Sequence, residues 1–170
     1  MKISPNFHDH EFVPPQIYKQ FGDNSKWFIR PEIVKLAEFY RKYFGKPVTV
    51  NNYIFGGGFS ERGYRVPDSK VGSKYSQHKL GAAFDCNIKG VDSDEVRDTI
   101  LKNQKLFIEA GLTTIEHKDY SPTWLHSDIR PTGFDYILIV KPSITVSETP
   151  IYTEDYYISD GDTSILMNIH

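Results

Sequence analysis

The sequence predicts a single domain of the α+β class, and three observations lead to this prediction. The chain has 170 residues, of which 39% are hydrophobic and 25% charged, a balance typical of one globular domain. Apolar residues recur at steps of three and four between residues 31 and 44, as on one face of a helix. They alternate with polar residues at 82–88 and 124–129, as in strands with one polar face. We therefore expect helices and strands within one domain.

Charge and cysteine content exclude several classes of protein. The chain has 20 Lys and Arg residues and 22 acidic residues. The resulting net charge of −2 predicts no electrostatic binding of nucleic acid. The longest apolar runs fall far below the ~18–20 residues that span a bilayer, and no membrane insertion is expected. The first residues lack the apolar region of a signal peptide, so we expect a soluble protein that is not secreted by that route. A single cysteine, Cys86, excludes an intramolecular disulfide and a Cys-rich zinc site.

The first third of the chain contains one clear helix. Residues 1–30 carry scattered prolines and aromatics, and we expect an irregular segment that wraps around the body. Pro31 suits a first helical position, and the periodic pattern predicts a helix over 31–44 that ends before Gly45. A short β-branched run at 48–50 follows. The polar stretch 56–75 then predicts a long loop, of the kind that is usually functional or disordered.

The second half of the chain predicts more strands. The strand at 82–88 is followed by a helix that begins at Asp92 or Ser93 and ends at Gly111. Two further strands are expected, at 112–116 and 124–129. The tail shows shorter β-rich runs, which look like added strands or a hairpin lobe: 134–140, 144–146, 156–158 and 164–169.

Two short stretches carry the residue types of a metal site. They are Ser76–Asp85 (SQHKLGAAFD) and Trp124–Asp128 (WLHSD). His78 precedes the first strand, whereas Asp85 and His126 lie on the polar faces of two strands. Two imidazoles and one carboxylate on adjoining strands suit a tetrahedral zinc ion with one open position. The alternative is a strand entry and a hydrogen-bonded, half-buried histidine without a metal.

These stretches resemble a known family. The pattern Ser-x-His-x-x-Gly-x-Ala-x-Asp followed by Trp-x-His is similar to the D-alanyl-D-alanine carboxypeptidase family of zinc peptidases, whose relatives include phage endolysins and hedgehog signalling domains. The resemblance extends from Ile3 to about Arg130, and it also includes Gly63-Tyr64-Arg65. It implies an α+β fold with a central antiparallel sheet and flanking helices. Residues 1–130 would form the zinc peptidase domain, and 131–170 a β-rich C-terminal extension.

The resemblance also implies roles for individual residues. The zinc ligands of the family match His78, Asp85 and His126. The family's substrate-binding arginine matches Arg65, for which Arg62 is a less favoured substitute, and the leading serine of the motif matches Ser76.

The general base of the family closes the strand before Trp-x-His, and Glu116 occupies that place here. The gap between Glu116 and His126 is longer than usual, so Asp119 is a rival base. A strand-turn-strand hairpin would still bring Glu116 and His126 together. Some relatives have a histidine where this chain has Trp124. Asp128 lies on the same strand face as His126 and could orient a ligand imidazole.

The expected function is zinc-dependent hydrolysis of peptidoglycan stem peptides, as a D,D-carboxypeptidase or an endopeptidase. A phage origin fits this expectation, with the protein in the host cytoplasm or the virion before it reaches the wall. The first alternative is an inactive, zinc-containing virion structural or wall-binding protein, in which the acidic tail would serve assembly with virion or tail partners. The second alternative is an amidase-like hydrolase with the same metal ligands.

Overall fold

A computed structural model describes residues 1–141 with their side chains, and the backbone of two further strands, 156–160 and 163–167. The α-helices are α1 (Pro15–Phe21), α2 (Pro31–Phe44), α3 (Ser93–Lys102) and α4 (Gln104–Glu109). The strands are β1 (Val48–Thr49), β2 (Ala83–Ile88), β3 (Thr114–Glu116), β4 (Leu125–Asp128), β5 (Leu138–Val140), β6 (Tyr156–Asp160) and β7 (Thr163–Met167). Short 3₁₀ helices occur at Asp9–Glu11, Gly22–Phe28, Tyr53–Phe55 and Gln77–Leu80. The predicted α+β class is confirmed.

One sheet connects all these strands, in the order β1-β2-β4-β3-β5-β6-β7. The pairs β1–β2, β2–β4 and β4–β3 are antiparallel, as predicted. The central sheet is nevertheless mixed, because β5 pairs parallel to β3 with Thr114 opposite Leu138. The prediction of an antiparallel sheet was wrong at this strand. Residues 129–137 carry the chain from β4 past β3 to its far edge, a path that the alternation of side chains does not reveal.

Helix α2 supplies the main apolar cover of the sheet, and it has the bounds that the sequence predicted. Pro31 lies in its first turn, and Gly45 ends it with φ 61°, a left-handed conformation that glycine adopts without strain. Tyr40 is fully buried and its ring packs edge-on to Phe84 of β2, with 5.7 Å between the centroids. Its hydroxyl lies 2.9 Å from the hydroxyl of Ser127 on β4. The helix therefore fixes the face of the sheet that is opposite the histidines.

Two other segments differ from the predictions. Residues 1–30 contain α1 and two 3₁₀ helices rather than an irregular wrap, because Pro15 presets the first turn of α1. The helix predicted from Asp92 or Ser93 to Gly111 is broken into α3 and α4 at Asn103, which has φ −124° and ψ 32°. Asp92 is the N-cap, and its side chain accepts the backbone N–H of Asp94.

The tail contributes to the same sheet. Strand β5 is bonded to β3, and β6 and β7 pair antiparallel with Asp160 opposite Thr163. The strand expected at 144–146 lies outside the described residues, and the division of the chain at residue 130 stays a prediction. None of the helices in the described part is both long and apolar enough to cross a membrane.

Candidate metal centre

His78 is placed by a tight turn before β2. It lies in the 3₁₀ helix Gln77–Leu80, which ends at Gly81 with φ 64°. A side chain at Gly81 would collide with the carbonyl of Phe28, and the Gly81 carbonyl accepts the backbone N–H of Arg30. The motif glycine is therefore required both by its backbone angle and by the approach of this neighbouring segment. The turn directs the His78 side chain inwards, where it is 2% exposed.

Strand register places the other site residues in one row. Asp85 of β2 lies directly opposite His126 of β4. On the other side of β4, Ser127 lies opposite Ile115 of β3, so the next pair towards the turn is His126 and Glu116. Directly opposed residues of antiparallel strands point to the same face of a sheet. The three side chains therefore line one face, as the predicted hairpin requires.

Three ligand atoms converge at this row. His78 Nε2 lies 3.2 Å from His126 Nδ1 and 3.2 Å from Asp85 Oδ1, and His126 Nδ1 lies 2.8 Å from the same oxygen. In a tetrahedral zinc site with metal–ligand distances of about 2.0–2.1 Å, neighbouring ligand atoms are about 3.3 Å apart. The observed spacing suits such an ion, and the group could hold a metal.

The outer atoms of both imidazoles are already engaged. His78 Nδ1 lies 2.7 Å from the carbonyl oxygen of Gly63, and His126 Nε2 lies 3.1 Å from Asp128 Oδ2. A carbonyl and a carboxylate only accept hydrogen bonds, so these two nitrogens carry the ring protons. In neutral imidazoles, His78 Nε2 and His126 Nδ1 then direct lone pairs at each other and at Asp85. Three converging acceptors require a cation between them, either a proton or a metal ion.

Two arginines hold the carboxylates of this network. Arg65 donates to Asp85 Oδ2 at 2.7 Å, and its Nε donates to the carbonyl of Glu61. Arg130 donates to both oxygens of Asp128, which is fully buried. Each ligand is therefore oriented by a second partner, which is the usual construction of protein metal sites.

The electrostatics of the site favour a positive charge. Burial acts to lower the pKa of His126, yet Glu116, Asp128 and Asp85 together raise it to about 10. Burial acts to raise the pKa of Asp85, but the two histidines hold it well below its usual range. His78 differs, because burial lowers its pKa in spite of Asp85. At His126 the carboxylates therefore outweigh the effect of burial and favour a cation.

The ligand cluster opens onto a cavity of about 360 Å³, within the range typical of small-molecule sites. Its lining residues are Arg65, Val71, Gly72, Ser73, Tyr75, Ser76, Gln77, His78, Asp85, Glu116, Tyr120, Trp124, His126, Arg130, Val140 and Lys141. All three candidate ligands thus face a space that substrate could enter. Glu116, Ser76 and Trp124 line the same space.

Two residues considered as alternatives lie elsewhere. The side chain of Asp119 is 64% exposed and forms an ion pair with His117 at 3.3 Å. Arg62 stacks over the ring of Phe59, 3.4 Å from its centroid, and its guanidinium also bonds Asn87.

The sequence did not identify several contributors. They are the carbonyl of Gly63, the contact between Arg65 and Asp85, and the aromatic ring of Tyr120 in the cavity wall. Tyr64 N–H bonds the carbonyl of Phe12, and a side chain on Gly63 would collide with it. The Gly63-Tyr64-Arg65 stretch was the only sequence signal near these contacts.

Comparison of the chain with protein-family models, curated proteins and solved structures finds no match. The functional interpretation therefore depends on the geometry of the site and on the motif resemblance.

Proposed function

We propose that this protein is a zinc-dependent peptidase that hydrolyses peptidoglycan stem peptides. The observation that carries this proposal is the convergence of three lone-pair donors on the wall of an open cavity, with Glu116 in the same row of the sheet. The peptidoglycan substrate is proposed from the motif resemblance to wall-degrading enzymes.

His78 Nε2, Asp85 Oδ1 and His126 Nδ1 would hold the metal. Two imidazoles and one carboxylate are a common set for catalytic zinc, whereas Mg²⁺ and Ca²⁺ prefer oxygen ligands. The hydrogen bonds from the outer imidazole nitrogens to Gly63 and Asp128 fix both rings for this purpose. A bound zinc ion supplies Lewis-acid polarisation of the scissile carbonyl and lowers the pKa of water.

Glu116 is the proposed general base. Its carboxylate takes a proton from the attacking water as the new C–O bond forms, and later gives that proton to the leaving amine nitrogen as the peptide C–N bond breaks. Such proton transfer contributes ~10²- to 10⁴-fold to rate. The position of Glu116 in the cavity wall supports this role over Asp119, whose side chain is directed to His117.

Arg65 orients Asp85 and can also contact substrate. Asp85 and Glu61 account for two of the five N–H donors of its guanidinium. Since Arg65 lines the cavity, we retain for it the predicted contact with a carboxylate of the substrate. Trp124 and Ser76 form other parts of the cavity wall.

Digestion of purified peptidoglycan tests the proposal. The zinc-loaded protein should release muropeptides with newly cut stem peptides, which mass spectrometry identifies. Glu116→Gln should keep its zinc and lose at least ~10²-fold in rate. Asp119→Asn is the matched control, because it removes the same charge three residues further along the chain and should leave the rate unchanged.

Three results would change the interpretation. Full activity in Glu116→Gln, together with loss of activity in Asp119→Asn, would assign the role of general base to Asp119. Hydrolysis of the amide between the glycan and the stem peptide would indicate the amidase alternative. Zinc binding without hydrolysis of any wall type would indicate a structural or wall-binding protein.

A further inference from the structure

Residues 117–124 connect β3 to β4. Two residues of the cavity wall lie where this connection begins and ends, Glu116 and Trp124. Strand pairing orders only the first part of this connection. Glu116 lies opposite Val140 of β5 and the N–H of His117 donates to the carbonyl of Val140, whereas the pairing of β3 with β4 ends at Ile115 and Ser127. The rest of the connection depends on other contacts for its shape.

The side chain of Arg97 on α3 extends into this connection. It is 6% exposed. Its Nε donates to the carbonyl of Glu116 at 3.2 Å, and its Nη2 donates to the carbonyl of Trp124 at 2.7 Å. Nη2 also lies within bonding distance of the carbonyl and the hydroxyl of Ser121, while Nη1 forms an ion pair with Asp94 at 2.9 Å. One guanidinium thus ties the start, middle and end of the connection to α3.

We propose that Arg97 is a positioning residue that fixes Glu116 and Trp124 relative to the His78–Asp85–His126 cluster. The proposal rests on the proposed peptidase function for its effect on rate. The fixed planar fork of an arginine can serve acceptors in three directions at once, whereas a lysine presents one compact ammonium group. Lysine at this position would keep the positive charge but could not make the hydrogen bonds to the start, middle and end of the connection at once.

The expected consequence is a loss in kcat. Displacement of a catalytic group by about 1 Å can cost ~10²-fold in rate. Arg97 bonds the carbonyl of Glu116 itself, so its replacement removes one of the contacts that fix the proposed base, in addition to the pairing of Glu116 with β5. The hydrogen bonds of Arg97 reach Asp94 and the 116–124 segment rather than the metal ligands, so zinc affinity should stay within about twofold. KM should change much less than kcat, since the rest of the cavity wall is held by other elements.

Two variants and one control test the proposal by kinetics. Arg97→Lys should lower kcat by ~10²-fold with KM within about threefold. Arg97→Ala should recover part of its lost kcat when methylguanidinium is added, because the ion can occupy the vacated space. Ser93→Ala is the control: it lies on the same helix and removes one hydrogen bond to the carbonyl of Pro122, which is in the same connection but at neither end. It should keep wild-type kcat.

Two kinetic results would overturn the proposal. One is a wild-type kcat in Arg97→Lys. The other is an equal loss of kcat in Arg97→Lys and Ser93→Ala that follows the unfolded fraction of each variant. Absence of hydrolysis by the wild type would instead refute the proposed function.

An activity-independent measurement separates these cases. The chain has two tryptophans, Trp27 and Trp124, and fluorotryptophan labelling gives one ¹⁹F resonance from each. Arg97→Lys should shift or broaden the Trp124 resonance and leave that of Trp27, which is 72% exposed, unchanged. An unchanged Trp124 resonance would overturn the positioning role even if the protein were not a peptidase.

Discussion

Asp128 offers a quantitative test of how the candidate metal centre is built. Its Oδ2 accepts the hydrogen bond of His126 Nε2 at 3.1 Å, and its two oxygens accept four hydrogen bonds from Arg130, one of them from the backbone N–H. In Asp128→Asn, one of the two oxygens becomes an N–H₂ donor. If the amide oxygen takes the place of Oδ2, it still accepts from His126, but the N–H₂ group at the place of Oδ1 then faces the backbone N–H and the Nε–H of Arg130. In the opposite orientation the N–H₂ group faces His126 Nε2. The variant therefore loses the carboxylate charge in either orientation, and in one of them it also loses the acceptor that orients the His126 ring.

The expected magnitude follows from comparable sites. Loss of a carboxylate behind a ligating histidine lowers metal affinity ~10- to 100-fold, which corresponds to ~1.4–2.7 kcal/mol. We expect the zinc Kd of Asp128→Asn to rise within that range. Removal of a ligand itself, as in His126→Ala, should have a larger effect, because the metal then keeps only two protein ligands.

Competition with a chromophoric zinc chelator measures both affinities. Asp119→Asn is the matched control, since it makes the same chemical change at a side chain that is 64% exposed and paired with His117. Its Kd should equal that of the wild type. An Asp128→Asn protein that remains folded and binds zinc within about twofold of wild type would refute the argument that the outer imidazole contacts orient the ligands.

Four further outcomes are expected. Zinc at about 1,000 times its Kd should stabilise the fold by ~4 kcal/mol, or ~8–16 °C in melting temperature, and a chelator should reverse this shift. Gly81→Ala should cost about 1–3 kcal/mol in urea unfolding, because alanine is strained at φ 64° and collides with Phe28; wild-type stability would contradict this. Phe107→Ala should cost ~3–5 kcal/mol, since this fully buried ring packs against four aromatic neighbours, and a loss below 1 kcal/mol would show a looser core. Cys86 is buried, which raises the pKa of its thiol, so a thiol reagent should label it only after unfolding; rapid labelling of the native protein would contradict its position.

Local periodicity predicted the parts of the site that lie on regular elements. Alternation along β2 and β4 correctly placed Asp85, His126 and Asp128 on polar faces, because strand geometry fixes the side of every second residue. The helix 31–44 was predicted at both ends from Pro31 and Gly45. Cys86 was expected on the apolar face and is buried there.

Contacts between segments distant in the sequence could not be predicted in this way. The carbonyl of Gly63 meets His78 because a loop without periodicity folds back on Phe12. The parallel pairing of β5 with β3 depends on the path of residues 129–137. Arg97 looks like a surface residue of a helix in the sequence, and only the tertiary fold shows that its guanidinium is buried under Glu116.

X-ray absorption at the zinc edge of the loaded protein tests the central claim most directly. The three converging atoms predict a first shell of nitrogen and oxygen at about 2.0–2.1 Å, with outer-shell scattering from two imidazoles. Zinc–thiolate scattering at about 2.3 Å would indicate Cys86 as a ligand, and this or a shell without imidazole would contradict the account.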